Sequence, residues 1–201
     1  MLELVPAWLG HAMRPLRAGA DRLCVARLGG DGDIAMIDLS SPAFPDGGNI
    51  PARFTADGEG LFPPLLWDAG ASETAEYALI VEDPDAPSPR PLVHAALWGI
   101  AGSERALAEG SAASGQAILG RNSFRRNAWL PPDPPPGHGR HHYVFQLFAL
   151  SGPLLLGRRA GRSALVKAMR GRILAVGVLT GIYSRGEPAA AKGGTRFMVS
   201  R

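Results

Sequence analysis

Apolar residues fall along this chain in short strand-like runs separated by turn-forming residues, and long helical stripes are scarce. Such runs cover Leu23 to Leu28, Ile34 to Leu39, Ala75 to Val81, Val93 to Ile100, His142 to Leu150 and Ile173 to Tyr183, and each is read as a β-strand. Val144, Leu147 and Leu150 together with Phe145 and Phe148 supply apolar side chains to both faces of their run, which predicts a central strand. Gly177 and Gly181 predict a bend or bulge in the last run. Two helices are expected in the body. Ser103 to Ala108 makes a short one; Ser163 to Arg170 makes a better one, with Ser163 as N-cap, Leu165, Val166 and Met169 at helical spacing, and Gly171 as the stop. Residues 1–20 read as an amphipathic helical arm, with Pro6 in the first turn, Trp8, Leu9 and Met13 on one face, and Pro15 as breaker. The division expected is therefore an arm over 1–20 and one mainly β domain over 21–201.

Composition narrows the class. A chain of 201 residues with 46% hydrophobic and 19% charged residues builds its own core without metals or crosslinks. Its 18 prolines and 26 glycines fit a turn-rich β body. Cys24 is the one cysteine, so no intrachain disulfide forms and the cytoplasm is the expected compartment. Glu3, Pro6 and His11 interrupt the N-terminal apolar residues, and no run of about 18 apolar residues predicts a membrane span. The net charge of +3 rests almost wholly on arginine, with clusters at Arg121, Arg125, Arg126 and at Arg158, Arg159, Arg162. No stacking aromatics, zinc spacing or nucleic-acid motif accompany them. They are read as solvated surface, and no nucleic-acid partner is expected.

Candidate chemistry gathers in two segments, Asp83-Pro84-Asp85-Ala86-Pro87 and Gly137-His138-Gly139-Arg140-His141-His142-Tyr143. Asp83 closes an apolar strand, where a buried carboxylate needs amide donors, a cation or a retained proton. Pro84 and Pro87 stiffen the turn that presents Asp85. Alone, the segment reads as a structural turn and His94, at a strand start, as a core or edge histidine. Strand alternation sends His141 and Tyr143 to one face and His142 to the other. An imidazole and a phenol thus project together beyond a glycine-rich loop, and a bound anion would satisfy them.

The string Ser41-Pro42-Ala43-Phe44, Asp46-Gly47, Ile50-Pro51, Asp57-Gly58, Pro63-Pro64-Leu65, then the Asp-Pro-Asp-Ala-Pro turn, His94 and the Gly-x-Gly-x-His-x-Tyr strand resembles the phosphatidylethanolamine-binding protein family. It looks closest to the bacterial Raf kinase inhibitor-like branch, over about residues 38–185. The resemblance implies a β-sandwich around a central antiparallel sheet, with an anion pocket at one end that takes phosphate-like groups of phospholipid heads or phosphorylated ligands. By matching position, Asp83, Asp85 and Pro87 form one wall, His94 and His141 the donors and Tyr143 a neighbouring hydroxyl; Trp129 and Pro135, beside Pro134, border the loop. The implied role is a non-enzymatic binding protein, possible partners being a phospholipid head group, a free anion or a phosphorylated protein of a kinase pathway. Two departures stand out. Leu130 and Pro131 replace the usual glycines, which removes an amide and narrows the entrance, and His142 replaces an arginine expected to make a structural ion pair.

Donation by His94 and His141 to a tetrahedral anion predicts binding that weakens as pH rises, with Asp83 either protonated or paired to a histidine. Phosphoester hydrolysis is the alternative, since Asp, His and Tyr can do acid-base work and His138, His141 and His142 can ligate a metal. Ser123 is the nearest hydroxyl and lacks a nucleophile elbow or lysine partner, and adjacent His141 and His142 point apart. No catalytic residue, metal or cofactor is assigned. The arm is expected to pack on the body, with self-association into a homodimer the next reading.

Overall fold

The computed structural model describes residues 5–28, 34–111, 115 and 117–185. The long apolar runs form the strands expected of them: β5 (Glu76–Asp83), β6 (Leu92–Ala101), β9 (His141–Leu150) and β10 (Ile173–Tyr183). Together with three two-residue strands, β1 (Ala35–Met36), β3 (Gly48–Asn49) and β8 (Ile118–Leu119), they build one sheet in the order β1-β10-β9-β5-β6-β8, with β3 also on β10. From β10 to β8 every pairing is antiparallel, and only β1 and β3 run parallel to β10. β9 lies between β5 and β10, which is why its side chains are apolar on both faces.

A smaller sheet of β2 (Leu39–Ser40), β4 (Leu65–Trp67) and β7 (Ala106–Leu107) covers one face. Leu39, Leu65, Trp67 and Leu107 meet Leu79, Leu97, Phe145, Leu147 and Leu179 in one core, so the body is a mainly β sandwich of unequal sheets. The opposite face packs Ile80, Trp98 and Phe148 against Leu165 and Met169 of α3 (Arg162–Met169) and against Cys24 of α2 (Cys24–Leu28). Among the described residues no helix is long and apolar enough to cross a membrane.

Four local expectations are corrected. Leu23 to Leu28 is helical from Cys24 because the large sheet caps it: buried Glu82 accepts the Cys24 amide at 2.8 Å and Gln146 accepts the Val25 amide at 2.7 Å. A carboxylate under the first amides of a helix favours that start. Ser103 to Ala108 is not a helix; Leu107 drops into the core and pairs with Leu65. The burial of one leucine in a strand register outweighs weak helical propensity. Gly161, not Ser163, occupies the N-cap of α3, without a side-chain bond. Gly177 and Gly181 mark close contact, not a bulge. A Cβ on Gly181 would lie 2.5 Å from Ile50, and one on Gly177 would lie 3.0 Å from Leu39, while the irregularity of β10 falls between Ile173 and Ala175.

The arm contains α1 (Ala7–Met13), which starts after Pro6. It meets the body through Gly10: a Cβ there would stand 1.9 Å from the Pro136 carbonyl. Trp8 and Leu9 point outward, with Trp8 70% exposed, so the expected apolar face is not the packing face. The Gly19 amide donates to Pro84 at 3.0 Å and the Arg14 Nε to Gly137 at 2.7 Å. The arm therefore lies across both chemistry-bearing segments.

Candidate functional site

β5 ends at Asp83 and β9 begins at His141, and the sheet brings these two ends together. Asp83 Oδ2 lies 2.7 Å from His141 Nδ1, both groups buried, and Asp83 Oδ1 accepts the Asp85 amide at 2.8 Å. The second nitrogen of His141 lies 2.7 Å from His138 Nδ1, and His138 Nε2 lies 3.0 Å from the Met13 carbonyl. A carbonyl only accepts, so His138 Nε2 donates. Burial, and after it the charge of His141, holds the His138 imidazole below its ordinary pKa. His138 is then neutral and accepts through Nδ1 from His141 Nε2. One further proton lies in the short contact between His141 Nδ1 and Asp83 Oδ2, so the buried pair is neutral as a whole. Both nitrogens of His141 are thus engaged within the protein.

His94 is positioned differently. The register of β5 and β6 slips between Val81 and Glu82, where Val81 faces Ala95 but Glu82 faces Val93. His94 is the extra residue of this bulge, and a bulge re-aims its side chain. Its ring sits among Tyr143, at a centroid distance of 5.0 Å, and Trp129, at 5.9 Å. Leu130 holds it twice: the Leu130 amide donates to the His94 carbonyl at 2.9 Å, and His94 Nδ1 donates to the Leu130 carbonyl at 2.6 Å. Burial pushes the His94 pKa down, against the opposing pull of Asp83. A neutral ring that donates through Nδ1 presents a lone pair at Nε2, and this buried atom has no hydrogen-bond partner among the described residues. Nor has the buried indole Nε1 of Trp129. Burial, and after it Asp83, raises the Tyr143 pKa well above its ordinary value, so the phenol remains a donor.

Asp85 bonds a separate set of partners, His142 and Arg17. It accepts the His142 amide at 2.7 Å and His142 Nδ1 at 2.6 Å through Oδ2, and pairs with Arg17 through Oδ1. Burial raises its pKa, but the bonds from His142 and then the Arg17 charge outweigh this and leave it at about 2. Asp85 thus receives a guanidinium from the arm. Pro87 is half-buried at the end of the same turn, and Pro135 is buried where its carbonyl accepts the His138 amide at 3.1 Å. Arg185 pins the proline loop, bonding Asp133, the Pro134 carbonyl and Asp57.

Of the residues singled out in the sequence, Asp83, His94, Trp129, His141 and Tyr143 gather at one end of the sandwich. Asp85, Pro87 and Pro135 buttress that group from the two loops. The sequence reading missed the roles of His138 as the second partner of His141, of Arg17, and of the Leu130 backbone. The Gly-x-Gly spacing around His138 was a usable signal; nothing local marked Arg17. Ser123 Oγ accepts the Val93 amide at 2.8 Å and takes no part in the cluster.

The seat of the arm gives a direct prediction. Gly10→Val places side-chain atoms against the Pro136 carbonyl, so the arm should lift, at a cost of about 1–3 kcal/mol. Trypsin should then cut after Arg17 much faster than in the parent protein. Unchanged protection would refute the packing described.

Comparison with known proteins covers most of this region. The family model described as phosphatidylethanolamine-binding protein matches residues 40–184. The UPF0098 protein of Methanothermobacter thermautotrophicus is 36% identical over 154 residues, spanning 75% of this chain and 100% of that protein. A UPF0098 protein of Pyrococcus abyssi is 38% identical over 79% of this chain and 90% of its own. Among solved structures, the phosphatidylethanolamine-binding protein homologue CT736 of Chlamydia trachomatis superposes with a TM-score of 0.70 at 32% identity, covering 75% of this chain and 98% of that one. Escherichia coli YbcL shares the fold, with a TM-score of 0.68 at 24% identity over 75% of this chain and 99% of YbcL.

Proposed function

Because this chain belongs to the phosphatidylethanolamine-binding protein family, we propose that it is a non-enzymatic binding protein whose His94 cluster takes one phosphate-like group. The observation that carries the reading is the buried His94 Nε2 beside the buried Trp129 Nε1, neither of which has a hydrogen-bond partner among the described residues. A buried polar atom without a partner is costly, and two of them beside the Tyr143 phenol make a place where a tetrahedral oxyanion would be held. The buried Asp83–His141 pair is internally neutralised, so it does not repel an anion; it orients the wall that His94 faces. His94 Nε2 must gain a proton to donate, or else accept one from a ligand hydroxyl. Either way a single proton lies between imidazole and oxyanion.

The shared chemistry is a phosphoryl group, whether on a lipid head group or free in solution. Isothermal titration with inorganic phosphate and with phosphoethanolamine separates these sources. Both should bind, and His94→Ala should weaken both by about ten- to a hundredfold, the worth of one or two charge-assisted hydrogen bonds. Unchanged affinity in that variant would overturn the proposal.

A further inference from the structure

A second site emerges on the opposite face of the large sheet. The two arginine clusters, expected from sequence to be solvated surface, do not simply point outward. Arg121 and Arg125 from one, and Arg159 and Arg162 from the other, line a common cleft of about 490 Å³. Arg22, Arg27 and Arg90 complete its wall, so among the described residues seven arginines face it and no aspartate or glutamate lines it. None of the His94 cluster residues lines it. Val93 and His94 divide the two sites: Val93 belongs to the core with Trp98 and Leu165 and borders the cleft, whereas His94 packs on Trp129 and Tyr143.

The cleft is built rather than incidental. The Arg121 amide donates to the Ala160 carbonyl at 2.8 Å and Arg121 pairs with Gly161, which clamps the two arginine segments side by side. Asn122 shapes the loop between them, its Oδ1 accepting the amides of Phe124 at 3.0 Å and Arg126 at 3.1 Å. Arg125 in this loop holds a φ of +61°, a conformation that side chains other than glycine adopt only under constraint. Arg162 is neutralised from below by buried Glu82 and donates to the Arg22 carbonyl. Arg22 donates to the Pro89 carbonyl and has the exposed Asp21 at 4.0 Å as its acidic neighbour. Arg121 Nε is buried and has no hydrogen-bond partner among the described residues.

So many guanidiniums in one concavity repel each other and focus a positive potential. Their fork geometry matches phosphoryl oxygens. One phosphate would leave most of them unused, and among the described residues no aromatic side chain lines the cleft to stack a base. We propose that this cleft binds a compact polyanion carrying two or three linked phosphoryl groups, at a site separate from the His94 cluster.

Isothermal titration and thermal melting with inorganic tripolyphosphate test this, using the full chain. Tripolyphosphate should bind, raise the melting temperature and weaken steeply with added salt. The double variant Arg121→Gln, Arg159→Gln should lose affinity by about a hundredfold through two missing charge-assisted contacts. His94→Ala should leave it unchanged, which separates this site from the one proposed above. A nucleoside triphosphate arm identifies the source: equal affinity assigns recognition to the phosphates alone, and tighter binding adds a nucleoside to the same polyphosphate chemistry. No binding of tripolyphosphate, full binding by a folded double variant, loss in His94→Ala, or tighter binding of a single-stranded oligonucleotide would each overturn the proposal.

Discussion

Replacing Asp83 by alanine should lower folding stability by about 3–5 kcal/mol, the cost of stranding one member of a buried ion pair. Three bonds depend on this carboxylate: His141 Nδ1 at 2.7 Å, the Asp85 amide at 2.8 Å, and, through His141, the bond to His138 at 2.7 Å. Without Asp83, buried His141 Nδ1 loses its hydrogen-bond partner, and Asp85, which holds Arg17 and His142, loses its tether. Asp83→Asn should behave otherwise. An amide oxygen still accepts from the Asp85 amide, and the amide nitrogen donates to a neutral His141 that keeps its Nε2 proton for His138. That variant should lose only about 1–2 kcal/mol. Urea midpoints of the two variants check the contrast; equal losses would show that the charge pair described at Asp83 is not what secures the two loops.

Anion binding should weaken as pH rises, by up to about tenfold per pH unit, because one proton is taken up with the ligand. Burial depresses the His94 pKa below 6.5 in the free protein. An anion against Nε2 raises it, so affinity is greatest at low pH and falls as pH climbs through the pKa of the complex. Ligand-free stability runs the opposite way. The unfolded chain protonates His94 near 6.5 while the fold resists, so the stability held above that value is lost as pH falls toward the depressed pKa. His138, also held low, adds to the same acid-side loss. Asp85 acts only lower still: its pKa of about 2, against 3.8 unpaired, gives stability that is lost between those values. A phosphate affinity independent of pH between 5 and 8 would contradict the proton-coupled account.

Much of the sandwich was legible because its strands are long and their burial pattern simple. β9 carries apolar residues to both faces, and its first three residues alternate as a strand must, which placed His141 with Tyr143 and His142 apart. The turn after β5 was legible through its prolines. What escaped notice depends on partners far along the chain. The helix at Cys24 exists because Glu82 and Gln146 cap it, some sixty and one hundred and twenty residues away. His94 reaches the cluster through a bulge that no local pattern announces. The glycines of β10 looked like breaks but admit Ile37, Leu39 and Ile50. Arg17 and the arginine cleft are products of tertiary assembly, in which isolated basic residues acquire meaning only from their neighbours.

The His94 imidazole itself reports most directly on whether the cluster takes a phosphoryl group. Nitrogen-15 chemical shifts of His94, recorded at neutral pH while inorganic phosphate is added, should start with a protonated Nδ1 and an unprotonated Nε2. Phosphate should move Nε2 to the protonated or strongly hydrogen-bonded range, and the change should saturate with the affinity measured by titration. Phosphate that binds while His94 Nε2 stays unmoved would contradict the account.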